Sequence, residues 1–164
     1  MQREHANART VDRSESGFTL IELMMVVLII AILITVLIPT FFGARNRAND
    51  RATQSALRNA VTAARAVYVD KADYTDATAV RLNVEGVPVL FVDGSTAPTD
   101  QFTVSIDTPS TTYAVISGLS KTGTCFYISD DVLSTGTRFA KQTGVSCEAS
   151  TAPPAGDAAW QMKW

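Results

Sequence analysis

The chain is 164 residues long and 46% hydrophobic, enough for about one domain and too short for a multidomain enzyme. Its 14 Lys and Arg stand against 16 Asp and Glu, a formal net charge of −2, which is not the basic balance of a nucleic-acid-binding protein. The single histidine, His5, lies in a polar stretch ahead of a long apolar run. A chain that loses this stretch on maturation has no imidazole, which excludes Ser-His-Asp and Cys-His catalysis and any His-ligated metal. Two cysteines are too few for a Cys-only zinc or iron–sulfur site in one chain, but they suffice for one disulfide. Composition argues against an enzyme: no catalytic residue, cofactor or metal site is expected.

Residues 1–17, MQREHANARTVDRSESG, are polar, lack apolar periodicity and read as disordered. Residues 18–40 follow as FTLIELMMVVLIIAILITVLIPT, with one charge, Glu22, and one proline, Pro39. Between residues 23 and 38 only Thr35 is polar. A helix over residues 18–42 spans on the order of 37 Å, enough to cross a ~30 Å hydrocarbon layer. A cleaved secretory signal has a shorter apolar region followed by a small-x-small site, whereas this run ends in Pro39-Thr40-Phe41-Phe42. A buried core helix of this apolarity needs a larger domain around it. The run reads as membrane-inserted.

Across residues 43–70, Ala48, Ala52, Ala56, Ala60, Ala64 and Tyr68 recur every fourth position, with Leu57 and Val61 alongside. This is the small-residue stripe of an amphipathic helix, with Arg45, Arg47, Arg51, Arg58 and Arg65 off it or beside it. No proline or glycine falls between Ala44 and Glu85, so the two halves read as one helix of about 50 residues ending near Asp70. Beyond Lys71 the character changes to strand, with candidates at residues 87–92, 101–106, 112–117, 124–129 and 137–141. Turn-forming stretches such as Asp93-Gly94-Ser95 and Lys121-Thr122-Gly123 separate them, which predicts an antiparallel meander with one face covered by the helix stripe. Residues 149–157 read as an irregular tail, pinned back by Trp160 and Trp164. The predicted class is α+β: a long N-terminal helix on a small antiparallel sheet.

Gly17-Phe18-Thr19-Leu20-Ile21-Glu22 followed by a long apolar run resembles the prepilin processing site of type IV pilins and pseudopilins. The resemblance implies cleavage by a prepilin peptidase between Gly17 and Phe18, methylation of Phe18, Glu22 as the intramembrane glutamate, and Pro39 as the helix-kinking proline. It divides the chain into a leader (1–17), a transmembrane and filament-core helix (18–42), an amphipathic helix half (43–70) and a head domain (71–164). The implied partners are identical subunits and minor pilins, the peptidase, the inner membrane before assembly and an assembly platform, with nucleic acid not a dedicated partner. The implied location is the cytoplasmic membrane first and an extracellular pilus afterwards.

The physics of Glu22 points the same way. A carboxylate at bilayer depth costs ~2.5–3.5 kcal/mol on insertion scales and so needs a partner or a task; snorkelling to the nearby surface is the simpler alternative. If Phe18 becomes the amino terminus, its ammonium supplies a countercharge, from the same chain or a neighbour. Cys125 and Cys147 default to a bridge outside the cytoplasm, contributing ~3 kcal/mol in the chain-entropy model, and they resemble the C-terminal disulfide-bounded loop of many pilins.

Residues 44–65 carry five arginines against Asp50, whereas after Arg65 six Lys and Arg face eleven Asp and Glu. These charges read either as ordinary solvated faces or as a basic stalk that meets neighbours' acidic heads. Asp130-Asp131, with Asp93, Asp100 and Asp107, lacks the spacing of a calcium loop and reads as turn and strand-end acids. Phe41, Phe42 and Tyr68 read as interfacial anchors and packing residues. Three functions follow: a pilus subunit, major or minor; a type II secretion pseudopilin; or a monomeric signal-anchored binding domain or enzyme that never polymerises, with adhesion, motility, DNA uptake and secretion all compatible with the subunit plan.

Overall fold

A computed structural model describes residues 17–84 and 86–164; the remainder of the 1–17 leader and Glu85 lie outside the described residues. The chain separates into two units, residues 1–41 and 42–164. In the first, helix α1 (Leu20–Lys71) begins, and every side chain from Phe18 to Phe41 is exposed. The helix is long and apolar enough to cross a membrane.

In the second unit α1 buries Thr53, Ala56, Leu57, Ala60, Val61, Ala64 and Val67. The expected alanine stripe is therefore the buried face only from its middle onward, since Ala48 is exposed and Ala52 half-buried. Helix α1 ends at Lys71 without proline or glycine: Ala72 adopts a left-handed φ of 54°, and its N–H donates to the carbonyl of Tyr68 at 2.6 Å. For a residue with a Cβ this conformation costs roughly 1–2 kcal/mol. A 3₁₀ turn (Tyr74–Asp76), capped by the Asp73 carboxylate, and a short helix α2 (Ala79–Val84) follow. Both fall ahead of the first expected strand and were not expected themselves, because side-chain caps from Asp73 and Thr78 rather than apolar periodicity start them.

Five strands follow: β1 (Leu90–Asp93), β2 (Thr103–Ser110), β3 (Tyr113–Leu119), β4 (Thr124–Asp131) and β5 (Gly136–Thr143), in that spatial order. From β2 to β5 they form the expected antiparallel meander, but β1 pairs parallel to β2. The stretch between β1 and β2 is not a hairpin. Its ends are two aspartate turns: Asp93 accepts from the N–H of Ser95, and Asp100 accepts from the N–H groups of Phe102 and Thr103. These turns carry the chain back before β2 begins. The exposed edge of β1 is covered by a side chain, because the Asn83 amide accepts from Phe91 N–H at 2.8 Å and donates to Phe91 C=O at 2.9 Å.

Alternation along the strands sorts the sheet into two buried faces. Val104, Ile106, Ala114, Ile116, Phe126 and Ile128 join the α1 face in one core. Gly118 lets α1 approach closely, because a Cβ there would lie 3.1 Å from Thr53 Cγ2. Val115, Cys125, Tyr127 and Ala140 form a second core with Cys147, Ala149 and Trp160. The head is thus three layers, helix, sheet and C-terminal tail, rather than the expected sheet covered on one face. The tail includes a 3₁₀ turn (Ala149–Thr151). Trp160 Nε1 donates to the carbonyls of Pro153 and Pro154, and Trp164 Nε1 donates to that of Ala140.

Candidate functional site

Two places concentrate the residues singled out by the sequence: the start of α1 and the tail side of the head. At the first, Gly17, Phe18 and Thr19 precede α1 in non-helical backbone, and Phe18 is 90% exposed. Among the described residues, chain neighbours aside, no atom lies within 4 Å of where a Gly17 Cβ would stand. The Gly17–Phe18 peptide lies one residue before the Thr19 cap.

Thr19 and Glu22 form a reciprocal capping box. Glu22 Oε2 accepts from Thr19 N–H at 2.9 Å and from Thr19 Oγ1 at 2.6 Å, and Thr19 Oγ1 accepts from Glu22 N–H at 3.3 Å. The signal was the T-x-x-E spacing ahead of an apolar run, which reading Glu22 only as an intramembrane charge passed over. The cap satisfies helix N–H groups that hydrocarbon could not. Among the described residues Glu22 has no ion-pair partner, and its two hydrogen bonds as acceptor both use Oε2. Oε1 stays available for a cation.

Pro39 lies inside α1, and its ring nitrogen cannot donate to the carbonyl of Thr35. The nearby hydroxyls are satisfied within the helix, Thr35 donating to Ala31 C=O at 2.8 Å and Thr40 to Val36 C=O at 3.3 Å. This apolar stretch therefore carries few polar demands of its own.

In the head, Cys125 and Cys147 are joined by a disulfide with Cα atoms 5.5 Å apart, linking β4 to the tail. Buried serines hold the same tail: Ser117 Oγ donates to Cys147 C=O at 2.6 Å, and Ser105 Oγ accepts from Ala149 N–H at 3.2 Å. The bridge and the Pro39 region lie in different units.

A further cluster was not anticipated. Arg65 Nε donates to Asp130 Oδ2 at 2.9 Å while Nη2 donates to Oδ1, a two-pronged pair. The Tyr74 hydroxyl also donates to Asp130 Oδ2, and Thr137 Oγ1 donates to Oδ1 at 3.0 Å. Asp130, next to last in β4 and so a strand-end acid as expected, is only 2% exposed and is buried in the core. Burial alone would raise its pKa, but the hydrogen bonds from Arg65, Tyr74 and Thr137 outweigh that and hold it below the ordinary carboxylate value. Among the described residues no group of three or more His, Cys, Asp or Glu is placed to hold a metal ion.

No curated protein and no solved structure matches the chain. Residues 12–38 match the family described as the prokaryotic N-terminal methylation motif. The motif implies processing by a prepilin peptidase and pilus-type assembly in general. The chain carries the type IV prepilin-like leader signature, which with its long apolar helix fits a membrane-anchored protein of the pilin or pseudopilin type.

Proposed function

We propose that the protein is a structural subunit of a type IV pilus. The observation that carries this reading is the contrast along α1. Residues 20–40 expose an almost wholly apolar surface, directly after the start of the methylation motif, while the head closes its core on both sheet faces. Such a helix has two suitable environments, a bilayer and a bundle of identical helices. A subunit moves from the first to the second, and non-closing contacts between identical helices then build a filament.

Cleavage between Gly17 and Phe18 converts an amide into an ammonium one helical turn from Glu22. The capping box keeps Oε2 on Thr19, and Oε1, which accepts no hydrogen bond among the described residues, can take the Phe18 ammonium of the same subunit or a neighbour. In low dielectric an unpaired charge is strongly unfavourable, so a pair made with a neighbour's ammonium sets the axial register of one helix against another.

The test is Glu22→Ala expressed as the only copy of the subunit. Cleavage and head folding are expected to survive, insertion to improve because a charge is removed, and filaments to be lost. Glu22→Gln, which keeps the capping bonds without the charge, is expected to lose filaments equally. Normal filaments from both variants would contradict charge pairing and leave apolar helix packing alone.

A further inference from the structure

Four arginines of α1, Arg47, Arg51, Arg58 and Arg65, are spaced by four, seven and seven residues, which places them within about 40° of one another around a 3.6-residue helix. The upper two are engaged inside the head. Arg65 pairs with Asp130, and the Arg58 guanidinium lies 5.1 Å from the centroid of the Trp164 ring. The lower two have no such partner. Arg47, Arg51 and neighbouring Arg45 are exposed, and among the described residues no ion pair involves any of them. The sole acid between residues 43 and 69 is Asp50, and its Oδ1 accepts from the hydroxyls of Ser120 and Thr122 on the head, each at 2.6 Å.

These three cations stand where the apolar surface ends. Counted from Phe42 at 1.5 Å per residue, Arg45 to Arg51 occupy about 4 to 14 Å of helix. A headgroup layer is roughly 6 Å deep on each side of the hydrocarbon, and the Debye length at physiological salt adds about 8 Å. Cα–Cβ bonds on a helix tilt toward its N-terminus, so the side chains reach back toward the apolar run. Arg47 does so: its Nη1 lies 3.9 Å from where a Cβ on Gly43 would stand, one turn earlier.

We propose that Arg45, Arg47 and Arg51 form a collar that binds the phosphodiester groups of anionic phospholipids, seating the unassembled subunit at a fixed depth. The proposal rests on reading residues 18–42 as a membrane span, and it is independent of polymerisation. Free phosphate shares the ligand chemistry. A membrane is favoured because the cations follow directly on the apolar run, with Arg45 on one side of the helix and Arg47 and Arg51 on the other, where headgroups would lie.

The test uses the full chain in detergent micelles, offered equal amounts of phosphatidylglycerol and phosphatidylcholine, with retained lipid counted by native mass spectrometry. Phosphatidylglycerol is expected to be enriched, with the enrichment falling about fivefold for each arginine changed to glutamine. The triple variant Arg45→Gln, Arg47→Gln, Arg51→Gln is expected to melt normally, and the triple lysine variant to keep most of the preference. Equal retention of the two lipids, or unchanged enrichment in the glutamine triple, would overturn the collar. Displacement of phosphatidylglycerol by millimolar inorganic phosphate would overturn the lipid assignment. Loss of filaments with lipid preference intact would move the arginines' role to the acidic heads of neighbouring subunits and overturn it too. Carbonate extraction of native membranes tests the span separately: release of the wild-type chain contradicts the membrane reading itself, whereas a retained chain with no lipid preference contradicts the collar alone.

Discussion

Arg65 on α1 and Asp130 on β4 are 65 residues apart in sequence, yet they form a two-pronged ion pair that fastens the helix to the sheet beside the apolar core. Asp130 is its buried member, and Arg65 stays half exposed. The Asp130 carboxylate also accepts the Tyr74 hydroxyl, so it ties the sheet to the turn that follows α1.

Asp130→Ala is expected to destabilise the head by about 2–3 kcal/mol. It leaves the buried Tyr74 hydroxyl without its acceptor, and such a loss costs roughly 1–3 kcal/mol before any contribution from the ion pair. Arg65→Ala should cost at least as much, because it strands the buried Asp130 carboxylate without its cation, whereas Asp130→Ala leaves only a partly solvated arginine. Denaturant unfolding of the two variants beside the wild type checks the order.

The same cluster sets the pH range of stability. Asp130 titrates below the ordinary aspartate value when folded, so its contribution is fully present above the unfolded value near 3.9 and is lost as pH falls through the folded one. The Tyr74 hydroxyl is raised, first by burial and then by its bond to Asp130, so its contribution persists up to the unfolded value near 10 and is lost as pH rises further. Melting temperature is therefore expected to be flat with respect to these two groups between about pH 5 and 9. Asp130→Asn should flatten the acid limb; an acid limb unchanged in that variant would contradict the assignment.

Two glycines make contrasting predictions. A Cβ at Gly94 would fall 2.7 Å from Asp107 Cβ and 3.0 Å from the Ile106 carbonyl, where backbone must shift. At Gly118 the nearest atoms, Thr53 Cγ2 and the Leu57 side chain at 3.1–3.4 Å, belong to side chains that can give slightly. Gly94→Ala is expected to cost more than Gly118→Ala, within the roughly 1–3 kcal/mol typical of overpacking, as read by thermal melting.

Much of the fold was legible because hydrophobic patterning governs it. The apolar run, the helix through its middle alanines and the four antiparallel strands follow from period and turn chemistry. The helix end at Ala72, the Tyr74–Asp76 turn and α2 were not legible, since they depend on single side-chain caps and one strained backbone angle. Neither was the parallel β1, because pattern alone cannot tell which way an edge strand enters. Arg65 and Asp130 look like ordinary surface charges until the sheet brings them together. At the candidate site, Gly17, Phe18 and Glu22 stand out as a contiguous motif, whereas the capping role of Thr19 was masked by attention to the charge.

Removing the bridge, by reduction or by Cys125→Ala with Cys147→Ala, is expected to lower head stability by ~3 kcal/mol in the chain-entropy model. The tail layer should loosen first, because Cys147, Ala149 and Trp160 form a core with the sheet face opposite α1. Amide exchange should therefore rise around residues 147–160 while residues 53–67 stay protected. Equal deprotection of both segments would contradict independent layers.

A processed subunit is expected to leave the membrane and join a filament, and the amino terminus of surface material reports on that step. Filaments sheared from cells and analysed by intact mass and terminal sequencing are predicted to contain this chain beginning at N-methylated Phe18, with residues 1–17 absent. A chain that still begins at Met1, one that begins beyond Pro39, or its absence from sheared filaments while abundant in the membrane would contradict the account.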